Sequence, residues 1–261
     1  QNNCFAGNFD GNGYLIRNLY TFNSKKTKYS NVGLFGYTVN STLKNIHILS
    51  GEFYGNENVG AIVGNFNFGT IENCRSGINV YIEGSNACGL VGRANNANIK
   101  SCYMHSSVFG NKYVGGIVGK CEEGAVTIEN CYSKANITTN ENFGGGIVGF
   151  SSASQITINA CGFDGQLIGE GFSAIAGYLA NGNISNSFAN SCATYLYKGT
   201  AILNSVIYSI DTEKRYVGND FSAWSVSASG TPLPAGFSWL GSVGTPLNVE
   251  ILSTLGYQGQ N

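Results

Sequence analysis

Four cysteines recur at one position of a repeated sequence and are the first candidates for a chemical site. They are Cys74, Cys102, Cys131 and Cys161. Thiolates can bind zinc, but ligands stacked in one column would form a line, whereas zinc takes a tetrahedron of ligands. Parallel side chains also point the same way, which suits the torsion of a disulfide poorly. We therefore predict a structural ladder of buried free thiols, with no metal and no cofactor. The sequence leaves the thiol state of the other four cysteines open: Cys4, Cys88, Cys121 and Cys192.

General acid–base chemistry has few candidate groups in this chain. The two histidines, His47 and His105, occupy different positions in their repeats, and no His-Glu-x-x-His run or Gly-x-Ser-x-Gly elbow occurs. Paired carboxylates can hydrolyse glycosidic bonds at separations of about 5 to 9.5 Å. The closest groupings are Glu122 with Glu123, Asp164 with Glu170, and Glu52 with Glu57. Because carboxylates in surface loops are far commoner than catalytic ones, we predict no catalytic residues.

Aromatic residues provide the remaining candidates for ligand contact. The outward position after the cysteine column carries Tyr103 and Tyr132, which would stack as a small exposed strip. Sugar rings or a partner protein could pack on such a strip. Aromatic pairing that only stabilises the sheet is the alternative. We take Tyr103 and Tyr132 as the candidate ligand-binding residues.

The composition limits the class of protein that can hold these residues. The 261-residue chain contains 37 Gly, 43% hydrophobic residues and only 11% charged residues, with a net charge of −1. This charge cannot neutralise a phosphate backbone, and no Lys/Arg-rich helix offers a contact to anionic lipid. No apolar run approaches the roughly 18 residues of a membrane span. The hydrophobic content is enough to form a core, so we predict a folded chain. From the net charge and the absence of a long apolar run, we predict that it binds no nucleic acid and does not insert in a membrane.

The chain is built from repeats of nearly constant length. Six tetrapeptides of the type Gly-Ile-Val-Gly end at positions 28, 28, 27, 30 and 28 residues apart, and their last residues are Gly36, Gly64, Gly92, Gly119, Gly149 and Gly177. A second landmark keeps the same spacing, and its aliphatic residues are Leu43, Ile71, Ile99, Ile128, Ile158 and Ile184. Each repeat holds three short β-rich stretches separated by Gly, Asn and Ser, without helical periodicity. Such units predict the coils of a parallel β-solenoid, stacked about 4.8 Å apart.

Stacked coils would align equivalent residues in columns. The outward column Lys44, Glu72, Lys100 and Glu129 alternates in sign, as cross-strand pairing favours. The asparagines at the following position are expected in the left-handed region, where they turn the chain and bond from coil to coil: Asn45, Asn73, Asn130 and Asn186. The repeated glycines predict a second corner that needs positive φ or close backbone approach.

Two motifs link these repeats to a known family. The run from Val114 to Gly119, Val-Gly-Gly-Ile-Val-Gly, together with Ile-Glu-Asn-Cys-Tyr-Ser from Ile128 to Ser133, resembles the GLUG-motif repeats of bacterial surface proteins. Asn8 to Leu19 is similar to the first coil of those proteins, and the resemblance extends from about Phe5 to Ser205. It implies a right-handed parallel β-helix in an exported, multidomain, cell-surface protein. Such repeats also occur in immunoglobulin A1-specific metalloendopeptidases, whose His-Glu-x-x-His is missing here.

The repeats and the resemblance together give a hypothesis for the whole chain. We expect an all-β solenoid of about six to seven coils in residues 1–204, with an N-terminal cap in 1–28 and a C-terminal cap or a further module in 205–261. The expected function is a non-enzymatic, adhesin-like module at the bacterial cell surface, which acts as a rigid spacer or binds host or community glycans or surface proteins. We expect it to be monomeric within a larger chain. A polysaccharide lyase or hydrolase on the same fold is the alternative.

Overall fold

The structure is a computed structural model that describes residues 4–21, 29–85, 89–169, 172–173, 175–185, 187–189, 224–226 and 232–234. Within these ranges all regular elements are β-strands, and the predicted parallel β-solenoid is confirmed, with about six turns. Three parallel sheets run along the solenoid, and each complete coil contributes to all three. The described residues include no helix that could cross a membrane.

The three sheets are called A, B and C in the order in which a coil passes through them. Sheet A contains β1 (Asn8–Asp10), β5 (Phe35–Lys44), β9 (Val63–Glu72), β12 (Val91–Lys100), β15 (Val118–Cys121), β16 (Ala125–Glu129), β19 (Val148–Ser151), β20 (Gln155–Asn159), β24 (Ala176–Leu179) and β25 (Gly182–Ser185). Sheet B contains β2 (Leu15–Ile16), β6 (His47–Ile48), β10 (Arg75–Ser76), β13 (Tyr103–Met104), β17 (Tyr132–Ser133), β21 (Gly162–Phe163) and β26 (Phe188–Ala189). Sheet C contains β3 (Leu19–Tyr20), β7 (Gly51–Gly55), β11 (Asn79–Ile82), β14 (Ser107–Gly115), β18 (Asn136–Gly145), β22 (Gln166–Gly169) and β23 (Phe172–Ser173).

Two further pairs complete the description. Strands β4 (Ser30–Val32) and β8 (Glu57–Val59) pair in parallel between sheets C and A. Strands β27 (Trp224–Val226) and β28 (Pro232–Pro234) pair antiparallel, whereas the strands of the solenoid pair in parallel. The predicted domain boundary at 204/205 lies outside the described residues.

The core is formed by columns of aliphatic side chains from equivalent positions. In sheet A, Ile71 pairs with Leu43 below and Ile99 above, and all three are fully buried. The second column, whose members between Ile62 and Ile175 are also fully buried, is formed by the aliphatic residues that precede the repeated glycines. Each buried side chain of this kind contributes about 1.5–3 kcal/mol through removal from water. The interior columns therefore hold adjacent coils in register.

One corner of each coil is made by residues with positive φ. Asn45, Asn73 and Asn130 have φ near 50°, as the sequence predicts. Asn73 donates to Oδ1 of Asn45 at 2.7 Å, and Asn45 donates to Asp10 at 2.8 Å. Ser101 takes the same conformation and interrupts this chain of amides. Hydrogen bonding from Asn45 also holds the pKa of Asp10 below its ordinary value.

The repeated glycines are required by close packing and not by positive φ. A Cβ atom on Gly92 would lie 2.6 Å from the backbone carbon of Asn58, and one on Gly149 would lie 2.5 Å from that of Tyr113. Neither glycine has positive φ. The turn between sheets C and A thus lies directly against the next strand of sheet A. This contact places the turn residue of one coil beside an outward side chain of the following coil.

The N-terminal segment is itself a partial coil. Strands β1, β2 and β3 pair in parallel with β5, β6 and β7, so each of the three sheets begins in residues 8–20. The cap expected in 1–28 is therefore continuous with the stack over this part. Residues 1–3 and 22–28 lie outside the described residues.

Candidate binding face

The outer face of sheet C carries an exposed aromatic column. Tyr54 pairs with Tyr81, Tyr81 with Phe109, Phe109 with Thr138, and Thr138 with Ile168. The alternation of the strands turns the neighbouring residues inward, and these are buried as an interior column of Phe53, Val80, Val108, Ile137 and Leu167. Phe109 is 36% exposed and Ile168 50% exposed, while both tyrosines are half-buried. An apolar strip thus runs along the solenoid over five coils.

A polar column runs beside this strip on the same face. It consists of Tyr20, Glu52, Asn79, Ser107, Asn136 and Gln166. Asn79 uses its amide oxygen to accept the backbone N–H of Ser107 at 3.0 Å. Amide and hydroxyl groups both donate and accept hydrogen bonds. The face therefore offers apolar contact along one line and, apart from the carboxylate of Glu52, neutral hydrogen-bonding groups along the next.

The two tyrosines of the strip form an offset stack. Their ring centroids are 4.9 Å apart and the planes differ by 13°. Parallel, offset stacking is a favourable arrangement of aromatic rings, and both residues keep part of their surface exposed. Partial burial, followed by hydrogen bonding to Glu52, raises the pKa of Tyr54 to about 12. Both causes also raise the pKa of Tyr81. The phenols consequently stay protonated over a wide pH range.

The expectation that Tyr103 and Tyr132 form an exposed strip is wrong. The rings do stack, with centroids 5.9 Å apart and an angle of 11°, but the residues are 1% and 0% exposed. They are outside the hydrophobic core cluster, because their neighbours Cys102 and Met104 point inward instead. The outer face of sheet B is therefore covered, and β28 contacts the adjacent strand β21. Solvent cannot reach the two rings, so the reason to assign ligand contact to them disappears.

Polar groups also collect on the covered face of sheet B. His47 is 8% exposed, and burial, followed by the charge of Arg75 in the next coil, lowers its pKa to about 4. Lys134 forms an ion pair with Asp164 at 3.0 Å, and the hydroxyl of Tyr132 donates to the same carboxylate at 3.3 Å. This is one of two places among the described residues where a half-buried cation and a carboxylate meet.

The second such place is on sheet A and contains one of the predicted carboxylate pairs. Arg93 Nε lies 2.7 Å from Glu122, Arg93 also pairs with Glu123 at 3.8 Å, and Lys120 contacts Glu122. The cations neutralise both carboxylates, so their arrangement differs from the acid and base of a glycosidase. Of the other predicted groupings, Glu170 lies outside the described residues, and Glu52 and Glu57 stand on separate strands, β7 and β8.

A second aromatic cluster stands next to Lys120, where the turn packs on sheet A. Tyr113 stacks on Phe143, Phe150 stacks on Tyr178, and tilted and edge contacts join the two pairs. The ammonium of Lys120 lies 4.9 Å from the Tyr113 ring centroid. Tyr113 and Phe143 have φ of 54° and 65°, which is unfavourable for bulky side chains. Their rings contact one another, so this cluster fastens the turn to the sheet.

The cysteine column is wholly interior. Cys74, Cys102, Cys131 and Cys161 are free thiols with no exposure. Each lies 3.2 to 3.3 Å from the carbonyl oxygen two residues earlier in the chain. Burial raises the pKa of Cys74, Cys102 and Cys131 well above the ordinary thiol value. Cys121 is also buried, Cys4 is an exposed free thiol, and Cys88 and Cys192 lie outside the described residues. Among the residues described, no three His, Cys, Asp or Glu side chains are grouped to hold a metal ion.

The column at Tyr54 was missed by the sequence reasoning, although a signal for it exists. The third short stretch of each repeat contains an inward residue such as Phe53 or Val80. The residue after it must face outward, and reading this position through the repeats gives Tyr54, Tyr81 and Phe109 in succession. The position after the cysteine column lies on the covered face of sheet B, where Tyr103 and Tyr132 are buried.

Comparison with known proteins supports the fold alone. No protein-family profile matches the chain, and no curated protein matches it. A crystal structure from Bacteroides ovatus is similar to it with a TM-score of 0.61 and 19% identity, over 87% of this chain and 77% of the other. That protein carries the provisional description of an immunoglobulin A1 protease. At this identity the similarity shows that both chains share a fold.

Proposed function

We propose that this chain is a non-enzymatic binding module of an adhesin-like bacterial surface protein, and that it holds its ligand on the outer face of sheet C. The observation that carries the proposal is the partly exposed column of Tyr54, Tyr81 and Phe109 beside a column of polar groups that are neutral except for Glu52. Exposed apolar patches rimmed by polar residues are typical of interaction sites. The ligand is a host or community glycan or a surface protein.

The adhesin-like assignment draws on the repeats. Their resemblance to GLUG-motif repeats implies an exported cell-surface protein, and a bacterial protein of similar fold is consistent with that origin. The protease description of that neighbour is not carried over, because this sequence has no His-Glu-x-x-His run and only two histidines. We propose an extracellular location for the module.

The solenoid would hold this face at a distance from the rest of a longer chain. Parallel ladders pair the backbone of each coil with the coils on either side, and interior columns continue from coil to coil. A stack of this kind is quasi-one-dimensional and extends by adding coils. A rigid spacer with a lateral binding face is the arrangement that an adhesin requires.

The test is a glycan-array and surface-protein screen of the purified chain, with Tyr54→Ala and Tyr81→Ala as variants. We expect saturable binding that weakens by about tenfold in either variant, because a stacked aromatic contact contributes about 0.5–1.5 kcal/mol beyond its buried area. Tyr14→Ala is the matched control, since Tyr14 is 75% exposed but lies between sheets A and B. Binding unaffected by both sheet C variants would exclude this face as the site.

A carbohydrate-active enzyme is the second candidate, and it rests on a different observation. Lys134 lies 3.0 Å from Asp164 next to sheet B, and the two side chains are 23% and 21% exposed, whereas Tyr132, which donates to the same carboxylate, is buried. A lysine and a carboxylate can serve in proton transfer. Reducing-sugar and unsaturated-product assays on the polysaccharides of the screen test this candidate. Product formation that is lost in Lys134→Met would establish the enzyme and refute the non-enzymatic proposal.

A further inference from the structure

The outer face of sheet C differs from the other faces in the balance of its charges. Glu52 lies on β7 and Glu83 directly after β11 of this sheet, and Glu57 lies on the neighbouring strand β8, between sheets C and A. Among the described residues, none of the three is in an ion pair, whereas six other carboxylates are paired with Lys or Arg within 4 Å. These six are Asp10, Glu72, Glu122, Glu123, Glu141 and Asp164. Within the described residues, these carboxylates therefore place an unneutralised negative field beside the lower part of the aromatic column.

This field bears on which ligands the face can accept. Glu57 and Glu83 are exposed, and Glu52 is half-buried beside the Tyr54 and Tyr81 hydroxyls. A like charge brought near an unpaired carboxylate is repelled, and the repulsion acts over a Debye length of about 8 to 10 Å at ordinary salt. Polyanions such as uronate-rich or sulfated glycans would place a charge near these residues at every position. The unpaired carboxylates thus select against acidic polymers.

The remaining groups of the face suit a neutral ligand. Phenol, amide and hydroxyl groups at Tyr81, Asn79, Ser107 and Asn136 donate and accept hydrogen bonds without charge. Sugar hydroxyls have the same dual character, and the apolar faces of sugar rings pack on aromatic rings. A peptide strand would instead need an open sheet edge for its backbone, which a face of side chains does not provide.

We propose that the outer face of sheet C binds an uncharged polysaccharide laid along the solenoid axis, and that Glu52, Glu57 and Glu83 exclude acidic glycans. The inference rests on the proposed function and names its ligand class. From Tyr54 to Ile168 the column covers four coil steps, or about 19 Å at the spacing of parallel strands. A polysaccharide segment of several sugar units fits that length, whereas a monosaccharide would use only a fraction of it.

The test compares a neutral β-glucan and a mannan with polygalacturonate and heparin in affinity electrophoresis and calorimetry, at low and physiological salt. We expect the neutral polymers to bind at least tenfold more tightly than the acidic ones. The affinity for the acidic polymers should rise as salt screens the carboxylates. In the triple variant Glu52→Gln/Glu57→Gln/Glu83→Gln, the ratio of the affinity for neutral polymers to that for acidic polymers should fall by about fivefold, because each exposed charge acts weakly. Longer neutral oligosaccharides should bind more tightly than short ones until the column is covered.

Several outcomes would overturn the inference, and they are distinguishable from failure of the proposed function. Binding of neutral and acidic glycans with equal affinity, unchanged in the triple variant, would refute the charge selection and leave the binding module standing. Binding of a protein alone, or dimerisation that Tyr81→Ala abolishes, would identify another occupant. The proposed function itself would be refuted only if no ligand were found whose binding depends on Tyr54 or Tyr81.

Discussion

The solenoid has two aromatic ladders of similar geometry with opposite environments. Tyr54 and Tyr81 on sheet C stack with an angle of 13°, and Tyr103 and Tyr132 on sheet B stack with an angle of 11°. The first pair borders solvent, whereas the second is completely buried outside the core. Outward direction, set by strand alternation, is therefore a property of the strand, while exposure depends on what the rest of the chain places over it. The covered ladder stabilises the fold, and the open one is available for a ligand.

The largest expected difference between the ladders is in stability. Tyr103→Ala should lower the free energy of unfolding by about 3 kcal/mol, the scale of a large-to-small substitution at a buried aromatic site. Tyr81→Ala should lower it by less than about 1 kcal/mol, because a half-buried side chain leaves no closed cavity. Urea titration followed by circular dichroism measures both values. Equal losses in the two variants would show that sheet B is uncovered in solution and would restore Tyr103 as a surface residue.

The stacking of coils could be predicted from sequence because it depends on local repetition. Ile71 and Ile99 fall at the same place in successive repeats, so their pairing follows from the period alone. Asn45 and Asn73 signal their own φ, since few other residues tolerate the left-handed region. The column of Lys44, Glu72 and Lys100 followed from the same register. Each of these features is decided within one coil and its neighbours.

The candidate site could not be predicted in the same way. Burial of Tyr103 involves cover on the outer face, and no pattern within its own repeat reports what lies there. Ala160 and Ser101 also take positive φ. They hold the corner that Asn73 and Asn130 occupy in other coils, although alanine and serine as residue types do not predict this conformation. Asp10 forms an ion pair with Lys44 and begins the charge column. It lies in the N-terminal coil, which is not one of the six clear repeats, so the repeat pattern does not predict this pair.

The two faces should also respond differently to acid. Burial lowers the pKa of His47, which precedes Arg75 and Tyr103 in the outer column of sheet B, from an ordinary value of 6.5 to about 4. The unfolded chain then binds the proton more readily than the folded chain between these pH values, so stability falls as pH drops from about 6.5 to about 4. Allowing for partial solvent screening, we expect a loss of about 1 kcal/mol.

Urea denaturation at pH 7 and pH 5 measures this acid effect. His47→Gln removes the titrating group and should remove most of the difference between the two pH values. Asp10 titrates mainly below this range, because the hydrogen bond from Asn45 holds its folded pKa below the ordinary value of 3.8. An unchanged pH dependence in His47→Gln would mean that His47 is accessible to water in the folded chain.

Alkaline pH should instead act on the open ladder. The pKa of Tyr54 is raised to about 12 by partial burial and by Glu52, so the folded state favours the neutral phenol. Its stabilising contribution is complete below about pH 10 and is lost as pH rises from 10 through 12. NMR of labelled tyrosine, with Tyr54→Phe for assignment, measures the titration. Glu52→Gln should lower the Tyr54 pKa toward its ordinary value. An unchanged Tyr54 pKa would show that Glu52 does not interact with the Tyr54 hydroxyl.

The smallest expected effect lies on the outer face of sheet A, where charge pairs replace aromatic rings. Lys100 lies 3.2 Å from Glu72, and both side chains are more than 40% exposed. Lys100→Gln should therefore lower the free energy of unfolding by less than about 0.5 kcal/mol, and added salt should reduce even this difference. Glu129→Gln is the matched control, because Glu129 accepts a hydrogen bond from Asn159 at 3.0 Å and an amide can replace that acceptor. A loss above 1 kcal/mol in Lys100→Gln alone would mean that outward pairs, and not only interior columns, hold the coils in register.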